Sequence, residues 1–281
     1  MELYNDDDLA RFEAEGNPRL PSGCQQAWLE HAGAQLWYCS YGEGEPVILL
    51  HGGLGHSGNW SKQLQSLVEH GYRAILLDTR GHGRSSRDHQ AFSYELFASD
   101  VLALLDELQI ERASLVGWSD GACTSLVLAD QHPERVKGVL FFACNVDPSG
   151  AKPLDDFPIT LQRCFARHQL DYRALSPTPD NFEILAEQLN QMQATQPNYS
   201  AAQLATIDLP VTVALGEFDE FIYEQHARYL AATLPQGSFK LLPGVSHFAP
   251  IQRPHEFNRF LLDVLAELHA YSPQPPMFGA D

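Results

Sequence analysis

The stretch that most constrains the fold of this chain is Val116-Gly117-Trp118-Ser119-Asp120-Gly121, in which two glycines bracket a serine. Residues 113–116 have the short, β-prone character of a buried strand, and residues 122–130 have the apolar spacing of a helix that faces a sheet. The backbone must therefore reverse within a few residues, which strains the central position and directs the Ser119 side chain out of the turn. Gly117 and Gly121 suit this turn because a Cβ at either place would collide with a neighbouring strand or helix.

Strand-like and helix-like runs alternate along most of the chain. A hairpin is predicted over 27–41, strands over 46–50, 73–77, 113–116, 136–144, 210–215 and 239–242, and helices over 59–70, 94–108, 122–130, 221–234 and 254–269. This alternation predicts an α/β fold with a mostly parallel central sheet flanked by helices. It breaks between Asn145 and about Asp208, where only helices are predicted, over 158–168, 180–195 and 201–207.

These patterns divide the chain into four predicted parts. They are an N-terminal arm (1–26), an α/β core (27–145 and 209–271), a small helical cap (146–208) inserted after the strand that ends near Cys144, and a flexible tail (272–281). The arm has no clear periodicity, so it is either loosely ordered or a short helix packed on the surface. An insertion after a central strand is expected to cover the carboxyl edge of the sheet.

The charge and composition of the chain limit the kinds of molecule that it is expected to bind. The formal net charge of −18 and a sequence pI of about 4.9 argue against nucleic acid or an anionic membrane as a partner. No apolar run approaches membrane-spanning length, and the acidic N-terminus lacks the pattern of a signal peptide. The five cysteines are an odd number with no close pairing along the chain, so they suggest neither a disulfide framework nor a metal site. We expect a cytoplasmic protein that acts on a small molecule; the sequence leaves its oligomeric state open.

A serine hydroxyl is a poor nucleophile at neutral pH, so Ser119 would need a base within hydrogen-bond reach and an acid to orient that base. Asp219 follows the strand predicted over 210–215, and His247 follows the strand predicted over 239–242. Asp219 is the favoured acid, with Asp147, on the loop after the preceding strand, as the alternative. The order along the chain is thus serine, acid, histidine.

With these residues in this order, the chain resembles an α/β-hydrolase-fold serine hydrolase of the esterase or lactonase kind. The resemblance extends from about residue 35 to 269 and includes His51-Gly52-Gly53 and the turn Asp78-Thr79-Arg80-Gly81-His82-Gly83-Arg84-Ser85. It implies Ser119 as nucleophile, His247 as general base and then acid, Asp219 as the residue that orients His247, and the backbone N–H groups of Gly53 and Asp120 as an oxyanion hole. We expect Leu54, Trp118 and Phe248 to bind substrate, and no cofactor or metal.

Each assignment has a plainer alternative. Ser119 would merely cap a helix in an inactive descendant of the fold, and His51, His56 and His82 are more typical of loop-structuring partners than of catalysts. Asp120 is either a first-turn carboxylate that complements the helix dipole or an anionic feature at the mouth of the acyl pocket. The Gly-Trp-Ser-Asp-Gly stretch is similar to that of amino-acid-ester hydrolases of the biphenyl-hydrolase-like (valacyclovirase) type, in which this aspartate is associated with α-amino recognition.

Several functions remain open from the sequence. A serine at this turn disfavours haloalkane dehalogenation and epoxide opening, which this fold performs through an alkyl-enzyme ester on aspartate. The leading hypothesis is hydrolysis of a small or medium neutral carboxylic ester or lactone. Alternatives on the same residues are an amino-acid-ester hydrolase or aminopeptidase, a carbon–carbon bond hydrolase and a cofactor-free perhydrolase. The alternative from outside the enzymes is a non-catalytic ligand-binding or signalling protein.

Overall fold

The computed structural model describes residues 7–154 and 157–270. The predicted flexible tail (272–281) lies outside the described residues, as do residues 1–6 of the predicted arm. Among the helices of the described part, none is both long enough and apolar enough to cross a membrane.

One eight-stranded sheet forms the centre of the molecule. Its strands are β1 (Gln25–His31), β2 (Ala34–Tyr41), β3 (Glu45–Leu50), β4 (Tyr72–Leu77), β5 (Ala113–Trp118), β6 (Val136–Phe142), β7 (Val211–Gly216) and β8 (Gly237–Leu242). Their spatial order is β1-β2-β4-β3-β5-β6-β7-β8. The pairs β1–β2 and β2–β4 are antiparallel, and every other pair is parallel. The predicted fold class, a mostly parallel sheet flanked by helices, is confirmed.

The register of the parallel strands brings their carboxyl ends to one edge. Leu50 of β3 pairs with Gly117 of β5, and Trp118 pairs with Phe142 of β6. Every residue of β5 is buried, as the continuous apolar run predicts for a strand covered on both faces. The loops that follow β3, β5 and β6 therefore leave the sheet side by side.

Ten α-helices are described around the sheet and beyond it, within the stretches 7–154 and 157–270. They are α1 (Leu9–Glu15), α2 (Leu64–Glu69), α3 (Tyr94–Glu107), α4 (Asp120–Gln131), α5 (Ile159–Leu175), α6 (Phe182–Gln193), α7 (Ala201–Leu204), α8 (Glu224–Thr233), α9 (Ala249–Gln252) and α10 (Pro254–Ala270). Helix α4 packs on β5 and β6, α8 on β7 and β8, and α10 on β6.

Helices α5, α6 and α7 follow β6 and precede β7, and we call them the cap helices. Helix α1 packs against α5 and buries Leu9 and Phe12 almost completely. The start of the chain thus contains a short helix, one of the two alternatives that its sequence left open. The division of the chain into core and cap remains a prediction.

One predicted helix, over 59–70, is broken in the structure. A 3₁₀ turn at Ser57–Trp60 precedes α2, which begins only at Leu64. The side chain of Asn59 accepts a hydrogen bond from the backbone N–H of His56, and the His56 ring accepts one from the N–H of Gly58. These side-chain bonds compete with helical hydrogen bonding and favour a tight turn instead.

Candidate active site

Ser119 lies at the junction of β5 and α4, in a conformation that a non-glycine residue rarely adopts. Its φ is 56° and its ψ is −122°. A Cβ on Gly117 would lie 2.2 Å from the carbonyl oxygen of Gly121, and a Cβ on Gly121 would lie 2.2 Å from that of Leu50. Both glycines are therefore required for the sharp turn, and the turn holds Ser119 in a strained backbone state.

The loop after β3 packs directly on this turn. A Cβ on Gly52 would lie 3.0 Å from the Ser119 Cβ, and Gly53 lines the same cavity as Ser119. Asp120 is the first residue of α4, so its backbone N–H has no partner within the helix. The arrangement places the helix N-terminus, with its partial positive charge, beside the serine.

His247 and Asp219 meet at the carboxyl edge of the sheet. The Nδ1 atom of His247 lies 2.9 Å from Oδ2 of Asp219, and both side chains are buried. The other oxygen of Asp219 accepts the backbone N–H groups of Phe221 and Ile222, each at 2.8 Å. These bonds fix the orientation of the carboxylate that faces the imidazole.

Burial and charge oppose each other at His247. Burial by itself would lower the pKa of His247, but the adjacent Asp219 charge and its hydrogen bond outweigh this, so the pKa lies above its ordinary value. The neighbouring Glu220 accepts the His247 backbone N–H at 2.9 Å, and burial raises the pKa of Glu220.

The other candidate acid lies apart from the histidine. Asp147 accepts the backbone N–H of Ser149 at 2.8 Å and caps the 3₁₀ turn Pro148–Gly150. Of the two carboxylates that the sequence offered, the structure therefore brings Asp219 to His247.

A cavity of about 480 Å³ contains Ser119 and His247 in its wall. The predicted substrate-binding residues Leu54, Trp118 and Phe248 also line it. Among the cap aromatics, Phe157 and Phe165 line the cavity. Three further large residues of the predicted cap, Tyr172, Phe182 and Met192, are buried and are not among the residues that line this cavity.

The side chain of Asp120 lies in the wall of the same cavity and is buried. Its Oδ1 accepts the Tyr94 hydroxyl at 2.7 Å, and the Gln193 Nε2 lies 3.0 Å from Oδ1 and 2.9 Å from Oδ2. Burial raises the pKa of Asp120, although both hydrogen-bond donors favour the ionised form. The sequence did not indicate Tyr94 or Gln193, because they lie 26 and 73 residues from Asp120.

His51, His56 and His82 each form a hydrogen bond with a backbone group of a nearby loop. The Nε2 of His51 accepts the backbone N–H of Thr79 at 3.0 Å, and the Nδ1 of His82 bonds to the carbonyl oxygen of Arg80. Burial lowers the pKa of His51 to about 4 and that of His82 to about 3, so both rings are neutral at pH 7.

His168 of α5 is a cavity-lining residue that the sequence did not indicate. Its Nε2 lies 3.5 Å from the side-chain nitrogen of Asn59, and its ring meets Phe12 of α1 edge-on at 5.8 Å. Burial lowers its pKa to about 4. Within the described residues, no group of three or more His, Cys, Asp or Glu side chains is placed to hold a metal ion.

Comparison with known proteins gives one family and several relatives. A family model of the alpha/beta hydrolase fold matches residues 45–186. The serine hydrolase BPHL of Mus musculus is 29% identical over 247 residues, covering 83% of this chain and 84% of the relative. A 2-hydroxy-6-oxononadienedioate/2-hydroxy-6-oxononatrienedioate hydrolase of Comamonas testosteroni is 27% identical over 262 residues, covering 80% and 89%. The solved structure of Est816, an N-acyl homoserine lactone degrading enzyme, is 27% identical with a TM-score of 0.65, covering 84% of this chain and 99% of that one.

Proposed function

Because the chain belongs to the alpha/beta hydrolase fold family, we propose that it is a serine hydrolase that cleaves a small or medium neutral carboxylic ester or lactone through an acyl-enzyme on Ser119. One observation carries the proposal. Ser119, held at a φ of 56° by the turn, shares a cavity wall with His247, whose Nδ1 lies 2.9 Å from Asp219. A nucleophile, a base and an orienting acid are thus grouped around one substrate-sized space.

In the proposed reaction, the Ser119 oxygen attacks the ester carbonyl carbon while the Nε2 of His247 takes the hydroxyl proton. Asp219 holds the tautomer in which Nδ1 carries the hydrogen, and it stabilises the imidazolium that forms. His247 then gives its proton to the alkoxide oxygen, which leaves as the alcohol of an ester or stays as the free hydroxyl of the acyl chain of an opened lactone. A water molecule attacks the acyl-enzyme by the same route, releasing the acid and restoring Ser119.

The negative charge that develops on the carbonyl oxygen needs fixed donors. The backbone N–H groups of Gly53 and Asp120 are proposed for this role, because Gly53 lines the cavity and Asp120 begins α4. Removing one donor of this kind typically costs about 3–4 kcal/mol of transition-state stabilisation.

The cavity supports a neutral, compact substrate. Its volume of about 480 Å³ falls in the usual range for small-molecule sites, and apolar side chains such as Leu161, Leu189 and Ile222 dominate its wall. Est816, which covers most of this chain, degrades a lactone, and this supports including lactones among the candidate substrates.

A second candidate function is hydrolysis of amino-acid esters. The observation in its favour is the Asp120 carboxylate in the cavity wall, next to the proposed nucleophile. The similarity of this chain to the serine hydrolase BPHL agrees with either candidate function.

A panel of esters and lactones tests the proposal. The native protein and Ser119→Ala are compared on p-nitrophenyl acetate and butyrate, a γ-lactone and an acyl homoserine lactone. We expect turnover by the native protein and a loss of roughly 10³-fold or more in Ser119→Ala. If the native protein hydrolyses no member of the panel, or if Ser119→Ala hydrolyses them equally well, the proposal is wrong.

A further inference from the structure

The Asp120 carboxyl group is buried, and the hydrogen-bond donors that reach it are neutral. Tyr94 and Gln193 donate to it, the ion pairs among the described residues do not include it, and the charge of the more distant His247 also favours its ionised form. A buried charge without an opposite charge is costly unless strong hydrogen bonds compensate for it. The two donors therefore favour the ionised carboxylate and oppose the effect of burial, which raises the pKa of Asp120.

The two donors come from different parts of the molecule. Tyr94 begins α3, is buried, and belongs to the framework around the sheet. Gln193 ends the cap helix α6, is exposed, and lines the cavity. Tyr94 is buried, whereas Gln193 is exposed as a residue and extends its amide to the carboxylate in the cavity wall.

The Gln193 amide lies against both carboxylate oxygens, at 3.0 Å and 2.9 Å. It also lies close to the loop after β3, since a Cβ on Gly53 would be 3.2 Å from its Nε2 and 2.5 Å from Oδ2 of Asp120. Gly53 and Gln193 thus cover the Oδ2 side of the carboxylate between them. A substrate ammonium group that approached Asp120 from the cavity would have to displace this amide.

We propose that Gln193 determines the substrate class of this site, because its amide occupies the place on the Asp120 carboxylate that the ammonium group of an amino ester would need. This inference rests on the proposed ester hydrolysis and adds the reason why the substrate is neutral. Displacing the amide breaks hydrogen bonds to a charged acceptor, which are among the stronger kinds in proteins. The native site therefore discriminates against amine-bearing acyl groups although it contains a carboxylate.

The test compares phenylalanine methyl ester with methyl 3-phenylpropanoate, which lacks only the amino group, at a pH where the amine is charged. We expect the native protein to favour the des-amino ester in kcat/KM. In Gln193→Ala, the ratio of amino to des-amino ester should rise roughly tenfold or more, as expected when an ion pair with Asp120 becomes accessible. Asp120→Asn in the Gln193→Ala background should abolish that rise.

Gln191→Ala is the matched control. Gln191 lies on the same helix, and its amide donates to Glu187 outside the cavity, so the substrate ratio should stay at the native value. Gln193→Ser, whose shorter side chain also vacates the place beside Asp120, replaces Gln193→Ala if the latter shows no cooperative thermal unfolding.

An unchanged ratio in the Gln193 variant overturns the inference, and so does a native protein that already favours the amino ester. If the native protein hydrolyses neither ester, the proposed function fails for this pair of substrates. Calorimetric measurement of ligand binding then tests the role of Gln193 without requiring turnover. Binding of 2-phenylethylammonium should be stronger to Gln193→Ala than to the native protein, with 2-phenylethanol as the uncharged reference. Equal binding of the ammonium ion to both proteins overturns the inference.

Discussion

Replacing Asp219 by asparagine should reverse the tautomer of His247. In the native protein, Oδ1 of Asp219 accepts two backbone N–H groups at 2.8 Å, and Oδ2 faces Nδ1 of His247 at 2.9 Å. In Asp219→Asn, the amide oxygen must stay on the two N–H groups, because an NH₂ group there would oppose two donors. The NH₂ group then faces Nδ1 and requires it to act as an acceptor, which moves the ring hydrogen to Nε2.

An imidazole with its hydrogen on Nε2 cannot take the Ser119 proton through that atom. Misplacing this tautomer in a serine–histidine–aspartate site typically lowers kcat about 10⁴-fold, and we expect a loss of about 10³- to 10⁴-fold here, or about 4–5.5 kcal/mol in activation free energy. The assay is steady-state hydrolysis of p-nitrophenyl acetate, with thermal unfolding as the check on folding.

Asp147→Asn is the matched control for this prediction. Its carboxylate caps a 3₁₀ turn and makes no contact with His247, so kcat should remain within about twofold of the native value. If Asp219→Asn kept its activity within tenfold, or if Asp147→Asn showed the larger loss, the assignment of the orienting acid would be wrong.

Three further predictions concern pH and packing. Because the pKa of His247 is raised, kcat/KM should increase with pH through a value above about 6.5, and a midpoint at or below 6.5 would contradict the charge effect of Asp219. The same shift stabilises the fold at low pH, and this contribution should be lost as the pH rises through the raised value, which thermal unfolding across that range would detect. Gly121→Ala should lower the free energy of unfolding by about 1–3 kcal/mol or more, since the new Cβ would lie 2.2 Å from the carbonyl oxygen of Leu50. Urea denaturation measures this, and an unchanged midpoint would show that the turn tolerates a side chain.

The sheet and the three proposed catalytic residues were predictable because local sequence encodes them. Strand β5 is a short apolar run followed by a glycine-bracketed serine, and each later candidate residue follows a strand of its own. Parallel strands bring such loops to one edge regardless of the details of packing. The alternation of strands and helices was therefore sufficient to group Ser119, Asp219 and His247.

The surroundings of Asp120 were not predictable from local patterns. Tyr94 and Gln193 reach its carboxylate from α3 and from the cap helix α6, and the packing of these helices around Asp120 brings them together. The docking of α1 on α5 escaped prediction for the same reason, since Leu9 and Phe12 form a buried face of α1 but do not indicate which helix it packs on. Contacts between distant segments depend on side-chain packing rather than on propensity.

Local side-chain chemistry explains why the helix predicted over 59–70 begins several residues late. Asn59 and His56 bond to the backbone near the predicted start of the helix over 59–70, and a 3₁₀ turn forms there instead. Asn is favoured in such turns because its short amide reaches nearby backbone groups. The helix then begins at Leu64, beyond the influence of these side chains.

Covalent labelling distinguishes an activated Ser119 nucleophile from an ordinary serine. The most direct test is to treat the native protein with a fluorophosphonate probe and to map the modified residue by peptide mass spectrometry. We expect one adduct per chain, on Ser119, with labelling lost in Ser119→Ala and greatly slowed in His247→Ala. Absence of labelling in folded native protein, or an adduct on another residue, would contradict it.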